Sequence, residues 1–301
     1  MDIKTWLSCQ SHAATSIFHM GRYCGKWQAS TYATGNPSFH VILEGQCWLL
    51  LENDRVRTLL SEGDIIFFFT NRPFYLLSSA TEAQEELPTK TMLPVTHQHP
   101  DDTALLCGFL KPTNYQSALL FSLMPEYLLI ERGSRSNQRL HKLFELLKIE
   151  CWQSESECAL TITRLTDLLL VYVVEEILAD KMVDVNLLLA SKSEKLSNLI
   201  MNIIKSPSEK WSVEDMAKFM NMSRSTFIRK AHYICGYTPS ELLTRIKVNI
   251  AVNLFRRGYA VSDVSQAVGY DSVSGFYCAF KKITGKTPSA FISQLGPLDS
   301  S

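Results

Sequence analysis

The sequence predicts an α+β protein of two domains, an N-terminal β-barrel followed by a C-terminal all-α domain. Segments rich in β-forming residues run from Ser38 to about Leu110. A helical pattern then occurs twice between residues 211 and 292. Residues 195–301 contain 14 Lys or Arg and 7 Asp or Glu, whereas residues 1–194 contain 16 and 23. A basic last third and an acidic remainder indicate that only the last third meets a polyanion.

The composition is that of a soluble globular protein. Of 301 residues, 46% are hydrophobic and 20% are charged. There is no run of about 18 apolar residues that would predict a membrane span, and the first residues lack the pattern of a signal peptide. We therefore expect a cytoplasmic protein without a membrane partner. The eight cysteines form no CxxC pair, so most are expected to be free thiols.

The β-rich region predicts several short strands separated by turn-forming residues. The candidates are Phe39–Gly45, Cys47–Glu52, Val56–Leu60, Asp64–Thr70 and Phe74–Leu77. Their spacing is typical of a barrel or a jelly roll. A barrel domain is therefore expected over residues 1–136.

A helical segment over residues 137–180 should follow the barrel. Its second helix, Cys158–Ala179, is apolar around much of its circumference. Such a helix is either enclosed within its own domain or shared with a second subunit. The polar Ser-Lys-Ser-Glu run in residues 181–195 predicts a linker, and the last domain is expected over residues 196–295.

The last domain is predicted to hold two helix-turn-helix motifs, at about 211–232 and 261–284, joined by one long helix. Phe227 leads to Gly236-Tyr-Thr-Pro239, and Phe276 leads to Gly285-Lys-Thr-Pro288, which sets the repeat period at 49 residues. Ser212 and Asp215 have the spacing of a capping box. Thr238-Pro-Ser-Glu241 combines an N-cap, a proline at the first helical position and a capping Glu, so it should open the long helix.

This tandem repeat resembles the DNA-binding domain of the AraC/XylS family of bacterial transcription regulators. The matching lines are Trp211-Ser-Val-Glu-Asp-Met-Ala217, Met222-Ser-Arg-Ser-Thr-Phe227, Gly236-Tyr-Thr-Pro239, Val268-Gly-Tyr-Asp-Ser272, Phe276, Phe280 and Gly285-Lys-Thr-Pro288. The resemblance implies a sequence-specific factor that binds double-stranded promoter or operator DNA, with its helices in successive major grooves. It also implies a homodimer formed through residues 137–180, and a contact with RNA polymerase.

The β-rich region is similar to a cupin domain. The matching lines are Leu43-Glu-Gly45 with Cys47-Trp48, Gly63-Asp64, and Leu106-Cys-Gly108. The combination implies an N-terminal sensory domain, with a helical dimerisation segment after it. A metal site needs three or four ligands, and His40 with Glu44 supplies only two candidates. We therefore expect no metal, no cofactor and no catalytic residues; the alternative is a cupin enzyme fused to a DNA-binding tail.

The DNA-contacting residues are predicted from the faces opposite the inward-pointing Phe227 and Phe276. These faces carry Arg224, Ser225, Ile228, Arg229 and His232 in the first motif, and Val273, Ser274, Tyr277, Cys278, Lys281 and Lys282 in the second. Arg229 is the prime candidate for a base contact, because a guanidinium can bond a guanine edge in two places. Arg224, Lys281 and Lys282 are better suited to phosphates. Each could equally be an ordinary solvated charge.

Four positions depart from the family pattern. Ala231 replaces an expected Phe, Ser265 an expected Ala, Lys247 an expected Arg in the long helix, and Cys278 an Arg that commonly reaches DNA. The last departure weakens the base readout expected of the second motif.

Two hypotheses compete for the signal that the first domain receives. In the first, a small apolar or aromatic molecule enters the barrel; the candidate residues are Phe39, Trp48, Phe67, Phe69 and Tyr75, with His40 beside them. In the second, an oxidant reacts with Cys24 or Cys107, and the flanking Arg22 and Lys26 would favour the thiolate of Cys24. The sequence leaves the effector, the operator and the direction of regulation open.

Overall fold

The chain folds into two compact units. The structure is a computed structural model that describes residues 13–52, 56–96, 102–132, 138–153, 160–179 and 182–294. The first unit comprises Met1–Thr113 and Met124–Asp180, and the second comprises Asn114–Leu123 and Lys181–Ser301. The predicted fold class, a β-rich first domain and a helical last domain, is confirmed.

The β-structure of the described residues lies in the first unit. Its strands are β1 (Ala13–Tyr23), β2 (Gln28–Ala29), β3 (Ser38–Glu44), β4 (Gln46–Leu51), β5 (Thr58–Ser61), β6 (Ile65–Phe68), β7 (Phe74–Leu77), β8 (Thr103–Pro112) and β9 (Tyr127–Ile130). They pair antiparallel in two sheets with the orders β1-β8-β3-β6-β9 and β2-β7-β4-β5. Successive strands such as β3 and β4 change sheets, as in a jelly roll. The expected barrel is therefore a jelly roll of two open sheets rather than one closed sheet.

The core of the first unit lies between the two sheets. Strand alternation directs every second side chain inward, so Cys47, Leu49 and Leu51 of β4 all enter the same cluster. Phe68 of one sheet stacks on Phe74 of the other, with ring centroids 3.9 Å apart. This aromatic pair therefore packs the two sheets together face to face.

Strand β1 is not predicted from the sequence, because the alternation of inward and outward side chains along it is interrupted. The register of its pairing with β8 shifts between Ile17 and His19. Such a β-bulge moves the following side chains to the opposite face of the sheet, which removes the simple period of two.

Two helices complete the first unit, α2 (Gln138–Gln153) and α3 (Leu160–Ala179). Helix α3 packs on β1 through a polar contact. The Thr15 backbone N–H donates to Asp167 Oδ1 at 2.8 Å, and the hydroxyl oxygens of Thr15 and Thr166 lie 2.6 Å apart. Strand β1, which the sequence periodicity does not predict, therefore positions helix α3 of the predicted helical segment.

The second unit is helical throughout its described residues. Its helices are α1 (Tyr115–Leu123), α4 (Val185–Leu188), α5 (Glu194–Lys205), α6 (Val213–Phe219), α7 (Arg224–Cys235), α8 (Pro239–Arg256), α9 (Val261–Ala267), α10 (Val273–Thr284) and α11 (Pro288–Gln294). Helix α8 is the predicted long connecting helix. Over the described ranges, no helix combines the length and apolar character needed to span a membrane.

Helix α1 belongs to the second unit, although it falls within the range predicted for the barrel domain. It packs against α5, with Leu119, Leu120 and Leu123 buried. Ser122 Oγ lies 3.0 Å from Met201 Sδ at this contact. The helix buries apolar residues on several sides, so its sequence lacks the single stripe by which an amphipathic helix is recognised.

The segment 181–195, predicted as a linker, carries α4 and a 3₁₀ turn at Leu189–Lys192. Leu187, Leu188 and Ala190 are almost completely buried in the second unit. The Ser-Lys-Ser-Glu sequence, from which a linker is predicted, lies at the end of this buried segment. Its second serine, Ser193, caps α5.

Candidate nucleic-acid interface

Side-chain caps define where the helices of the first motif begin. The Asp215 backbone N–H donates to Ser212 Oγ at 3.1 Å, and the Ser212 N–H donates to Asp215 Oδ2 at 3.2 Å. The predicted capping box at the start of α6 is therefore confirmed. Ser223 and Thr238 cap α7 and α8 in the same way, since each hydroxyl accepts a bond from the backbone N–H three residues on.

The second motif repeats this geometry with a longer turn. Four residues, 220–223, separate α6 from α7, and five residues, 268–272, separate α9 from α10. The second residue of each turn is left-handed, Asn221 with a φ of 55° and Gly269 with a φ of 70°. Ser272 caps α10, so the helix begins at Val273.

Buried aromatic and small residues form the core of each motif. Phe227 and Ala231 are fully buried in the first motif, so the small residue in place of the expected Phe is accommodated. In the second motif, Phe276 and Phe280 pack around Phe255 of α8, and the Phe255 and Phe280 ring centroids are 5.4 Å apart. The inward faces are therefore those that the sequence predicted.

The opposite faces of α7 and α10 carry the predicted DNA-contacting residues. The exposed ones are Arg224, Ser225, Arg229, His232, Val273, Ser274, Cys278, Lys281 and Lys282, and the half-buried ones are Ile228 and Tyr277. Each recognition-type helix thus presents a polar or cationic surface to solvent. Contact between this surface and DNA stays a prediction.

Several of these side chains have local partners. Arg224 Nε donates to Glu214 Oε1 at 2.7 Å, and both side chains are more than half exposed. An exposed pair of this kind contributes little stability, so Arg224 can exchange it for another anion. Arg229 forms no ion pair with a described residue. The Tyr277 hydroxyl oxygen lies 2.8 Å from Ser289 Oγ, which orients the Tyr277 ring.

A contact that sequence reasoning missed ties the second turn to the segment before the first motif. Lys210 Nζ and Asp271 Oδ1 lie 2.7 Å apart, although the two residues are 61 positions apart in the chain. Gly269 sits so close to Ser208 that a Cβ at this position would lie 2.7 Å from the Ser208 carbonyl oxygen. Only glycine fits there. The sequence Val268-Gly-Tyr-Asp271 contains both residues of this contact, but it does not show that they meet Ser208 and Lys210.

A second missed cluster surrounds Asp184. Its carboxylate accepts bonds from the Tyr237 hydroxyl at 3.0 Å and from Arg245 Nη1 at 2.8 Å. The Arg245 guanidinium also lies 4.0 Å from the centroid of the Tyr237 ring. Tyr237 belongs to the Gly-Tyr-Thr-Pro line, so the cluster attaches the start of α8 to the segment before α4.

In the first unit, the predicted sensor residues His40 and Cys107 lie together inside the jelly roll. His40 Nδ1 is 3.1 Å from Cys107 Sγ, and His40 Nε2 is 3.4 Å from Ser38 Oγ. Burial lowers the pKa of His40 to about 3 and raises the pKa of the Cys107 thiol far above its ordinary value. Both groups are therefore neutral and shielded from solvent.

The other predicted thiol, Cys24, does not have the electrostatic setting that was expected. Arg22 is paired with Glu44, and Lys26 Nζ lies 2.6 Å from Glu82 Oε1. Burial and a hydrogen bond to Asp102 raise the pKa of Cys24, against the opposing effect of nearby cations. The expectation of a favoured thiolate at Cys24 is therefore not met in this structure.

The predicted aromatic lining is not assembled inside the jelly roll. Trp48 is half-buried between the core residues Cys47 and Leu49, so alternation places it on the outer face of its sheet. Phe67 stacks on Phe39 at 5.8 Å, on the face opposite the core residue Phe68. Phe69, on the Phe67 side, and the outward Tyr75 are likewise absent from the core cluster.

A polar cleft of about 890 Å³ opens beside the sheets of the first unit. Its walls include Lys26, Gln46, Glu62, Glu82, Thr103 and Arg132. Two ion pairs lie in the wall, Lys26 with Glu82 and Arg132 with Glu62. Among the described residues, including those of the cleft, no three side chains of His, Cys, Asp or Glu are grouped so as to hold a metal ion.

Two family models match the sequence, one for each unit. Residues 10–179 match the family described as Cupin, and residues 216–294 match the one described as a helix-turn-helix domain. The cupin match covers more than half of the chain, and the second match covers all but the first few residues of the tandem repeat. The chain belongs to the AraC/XylS family of transcriptional regulators with an N-terminal cupin domain.

Relatives of this chain are named as HTH-type transcriptional regulators. An uncharacterized HTH-type transcriptional regulator of Haemophilus influenzae is 29% identical, over 89% of this chain and 90% of the relative. The RCS-specific HTH-type transcriptional activator RclR of Escherichia coli K12 is 26% identical, over 83% and 86%. The crystal structure of ToxT from Vibrio cholerae O395 covers 95% of this chain and 98% of its own, with 13% identity and a TM-score of 0.38.

The regulator should lose stability in mild acid because of His40. Its folded pKa of about 3 lies below the ordinary value of 6.5, so only the unfolded imidazole takes up a proton between these values. We expect the free energy of unfolding of the first unit to fall as pH drops from 6.5, by at most about 1.4 kcal/mol per pH unit. Urea unfolding followed by tryptophan fluorescence at several pH values measures this slope.

The matched variants are His40→Gln and, as the control, His19→Gln on the exposed side of β1. The first should flatten the slope below pH 6.5, and the second should keep that of the wild type. Equal slopes in the wild type and His40→Gln would contradict the assignment.

Proposed function

We propose that this chain is a sequence-specific transcription regulator that reads duplex DNA with α7 and α10 and senses a signal with its first unit. Its role is binding rather than catalysis. The observation that carries the proposal is the repetition: two capped helices at the same spacing each bury a Phe and expose a polar face. Two such helices on one connecting helix can enter successive major grooves.

Base readout is assigned chiefly to Arg229. Its exposed guanidinium has no ion-pair partner among the described residues and can bond O6 and N7 of a guanine. Around it, Ser225 and His232 offer further hydrogen-bonding groups. On α10, Val273 is 43% exposed and suits a thymine methyl group. We therefore propose that the first motif supplies more of the specificity than the second.

Positioning on the phosphates is assigned to Lys281, Lys282 and Arg224. All three are exposed, and they lie in the basic last third of the chain. Phosphate contacts fix the register on the duplex and make affinity depend on salt. A contact with RNA polymerase stays a prediction without an assigned surface.

We further propose that the regulator is a homodimer through α2 and α3. Leu146 and Ile149 lie three residues apart on α2, hence on one face, and are 46% and 51% exposed. On α3, Leu160 is 70% exposed and Leu168 is 39% exposed. A second copy would remove these apolar side chains from water.

For the signal, we propose a polar small molecule that binds in the cleft of the first unit. The charged and hydroxyl-bearing walls of the cleft suit such a ligand, while the interior of the jelly roll is filled by stacked rings. The raised pKa of Cys24 and the burial of Cys107 weigh against an oxidant at these two thiols.

Replacing Arg229 by alanine should weaken binding to the chain's own site by about 1–3 kcal/mol and relax the base preference at one position. Binding of an unrelated duplex should change much less. The measurement is fluorescence anisotropy on a duplex selected in vitro. Lys111→Ala, which removes an exposed positive charge from β8, is the control and should leave both affinities intact. An equal loss on both duplexes would contradict base readout by Arg229.

Ile149→Lys should convert the dimer into a monomer, because a charge would be buried without a partner in the interface. Sedimentation equilibrium of the full chain measures this. Val56→Lys changes another exposed apolar residue of the first unit and should leave the association unchanged. A wild-type monomer at micromolar concentration, or a dimer that Ile149→Lys does not disturb, would overturn the α2–α3 interface.

With the exposed thiol of α10 removed by Cys278→Ser, hydrogen peroxide should leave the DNA affinity unchanged, whether Cys24 is intact or replaced by serine, because the Cys24 thiol stays protonated near neutral pH. Anisotropy before and after oxidation measures this. The result that would contradict this is a response of Cys278→Ser that is lost when Cys24→Ser is added and kept when the buried-thiol control Cys235→Ser is added. The signal would then belong to Cys24 and not to the cleft.

A further inference from the structure

The two recognition-type helices correspond to one another residue by residue. Both α7 and α10 have 12 residues, a capping serine directly before them and a left-handed glycine directly after them. Phe227 of α7 and Phe276 of α10 are fully buried at the same position, the fourth, of their helices. Each residue of α7 therefore has a counterpart 49 positions later in α10.

This correspondence singles out Tyr233, a residue that has no part in the proposed function. Its counterpart in α10 is Lys282, to which a phosphate contact is assigned. The residue before it, His232, corresponds to Lys281. The last turn of α10 thus carries two lysines, whereas that of α7 carries a histidine and a tyrosine. A contact that α10 makes through a lysine ammonium must be made by another group in α7.

Tyr233 extends into solvent with its hydroxyl unused. The residue is 89% exposed, the largest value among the exposed large hydrophobic residues of the described chain. Its hydroxyl forms no hydrogen bond with a described residue. By contrast, the Tyr237 hydroxyl donates to Asp184 at 3.0 Å, and the Tyr277 hydroxyl oxygen lies 2.8 Å from Ser289 Oγ. Tyr233 therefore offers a hydrogen-bond donor to a partner outside the chain.

Tyr233 lies on the side of α7 that carries the predicted DNA-contacting residues. Ser225, Arg229 and Tyr233 follow one another at intervals of four residues, so they form one row along the helix. All three are exposed, whereas Phe227 and Ala231 on the opposite side are fully buried. In a helix that docks in the major groove, the first turns reach the bases and the last turn reaches the backbone. The position of Tyr233 in the last turn therefore favours a backbone contact.

The chemistry of the side chain suits a phosphate. Tyrosine is one of the side chains that bond phosphate oxygens in protein–DNA complexes, and a charged acceptor strengthens such a bond. A phenol is neutral, so it displaces no counterion from the duplex when it binds. The contact would therefore add affinity without adding salt dependence, unlike a lysine contact.

We propose that Tyr233 is a positioning residue for DNA reading, and that its hydroxyl donates a hydrogen bond to a backbone phosphate beside the groove that α7 reads. The contact rests on the proposed function, since it requires α7 to lie in a major groove. It is the neutral counterpart of the contact assigned to Lys282. By fixing the end of α7 on the backbone, it sets the reach of Arg229, one turn earlier, into the groove.

The first test measures the affinity of the full chain for the selected duplex and for an unrelated duplex, by fluorescence anisotropy at several salt concentrations. Tyr233→Phe, which removes only the hydroxyl, should weaken binding to both duplexes by about three- to tenfold. The slope of log K against log salt should stay that of the wild type. Tyr233→Lys should recover the affinity at low salt and steepen the slope by about 0.9.

Two further variants calibrate this test. Tyr32→Phe changes a 41% exposed tyrosine of the first unit and should bind like the wild type. Lys282→Ala should weaken binding to both duplexes and make the slope shallower by about 0.9.

The outcomes separate this contact from the proposed function. If Lys282→Ala behaves as expected but Tyr233→Phe binds both duplexes as tightly as the wild type, the contact is wrong and the proposed function stands. If the loss in Tyr233→Phe is confined to the selected duplex, Tyr233 reads a base and the phosphate contact is wrong. If the wild type does not discriminate between the duplexes, the proposed function fails and the contact falls with it.

The second test locates the phosphate. Neutral methylphosphonates replace single phosphates of the selected duplex in turn, on both strands. At one position beside the groove read by α7, the replacement should weaken binding of the wild type by at least about threefold and that of Tyr233→Phe much less, because the variant already lacks the bond. Equal losses in the wild type and in Tyr233→Phe at every phosphate would overturn the proposal.

Discussion

The packing of α8 against all four helices of the two motifs is the constraint on which the second unit depends. This helix contacts α6 and α7 on one side of the repeat and α9 and α10 on the other. Phe255 near its end completes the core of the second motif. Because the contacts are distributed along one rigid helix, the two recognition helices have a fixed separation.

The repeat could be predicted from the sequence because local signals agree with the packing. Ser212 and Thr238 are predicted as helix caps from the sequence, and both cap helices in the structure. Phe227 and Phe276 fall on the buried faces that helical periodicity indicates. Caps and helical periodicity depend on residues only a few positions apart, so the sequence pattern is sufficient to predict these helices and their buried faces.

The remaining features depend on contacts between distant residues, which a pattern does not contain. The bulge between Ile17 and His19 hides β1, and only pairing with β8 makes it a strand. Alternation alone does not say which face of a sheet is the core, so Phe67 and Trp48 were assigned to an interior that they do not line. The partner of Asp271 is likewise set by tertiary contact with Lys210. Sensor residues are therefore harder to predict here than DNA-facing ones.

The most direct test of the account is a methylation-interference footprint of the full chain on a duplex selected in vitro for tight binding. The account predicts that guanine methylation interferes in two successive major grooves on one face of the duplex, about one helical turn apart for each pair of motifs. The stronger interference should lie in the groove assigned to α7. Interference in a single groove, or failure of the selection to enrich any sequence, would contradict DNA reading by the paired helices.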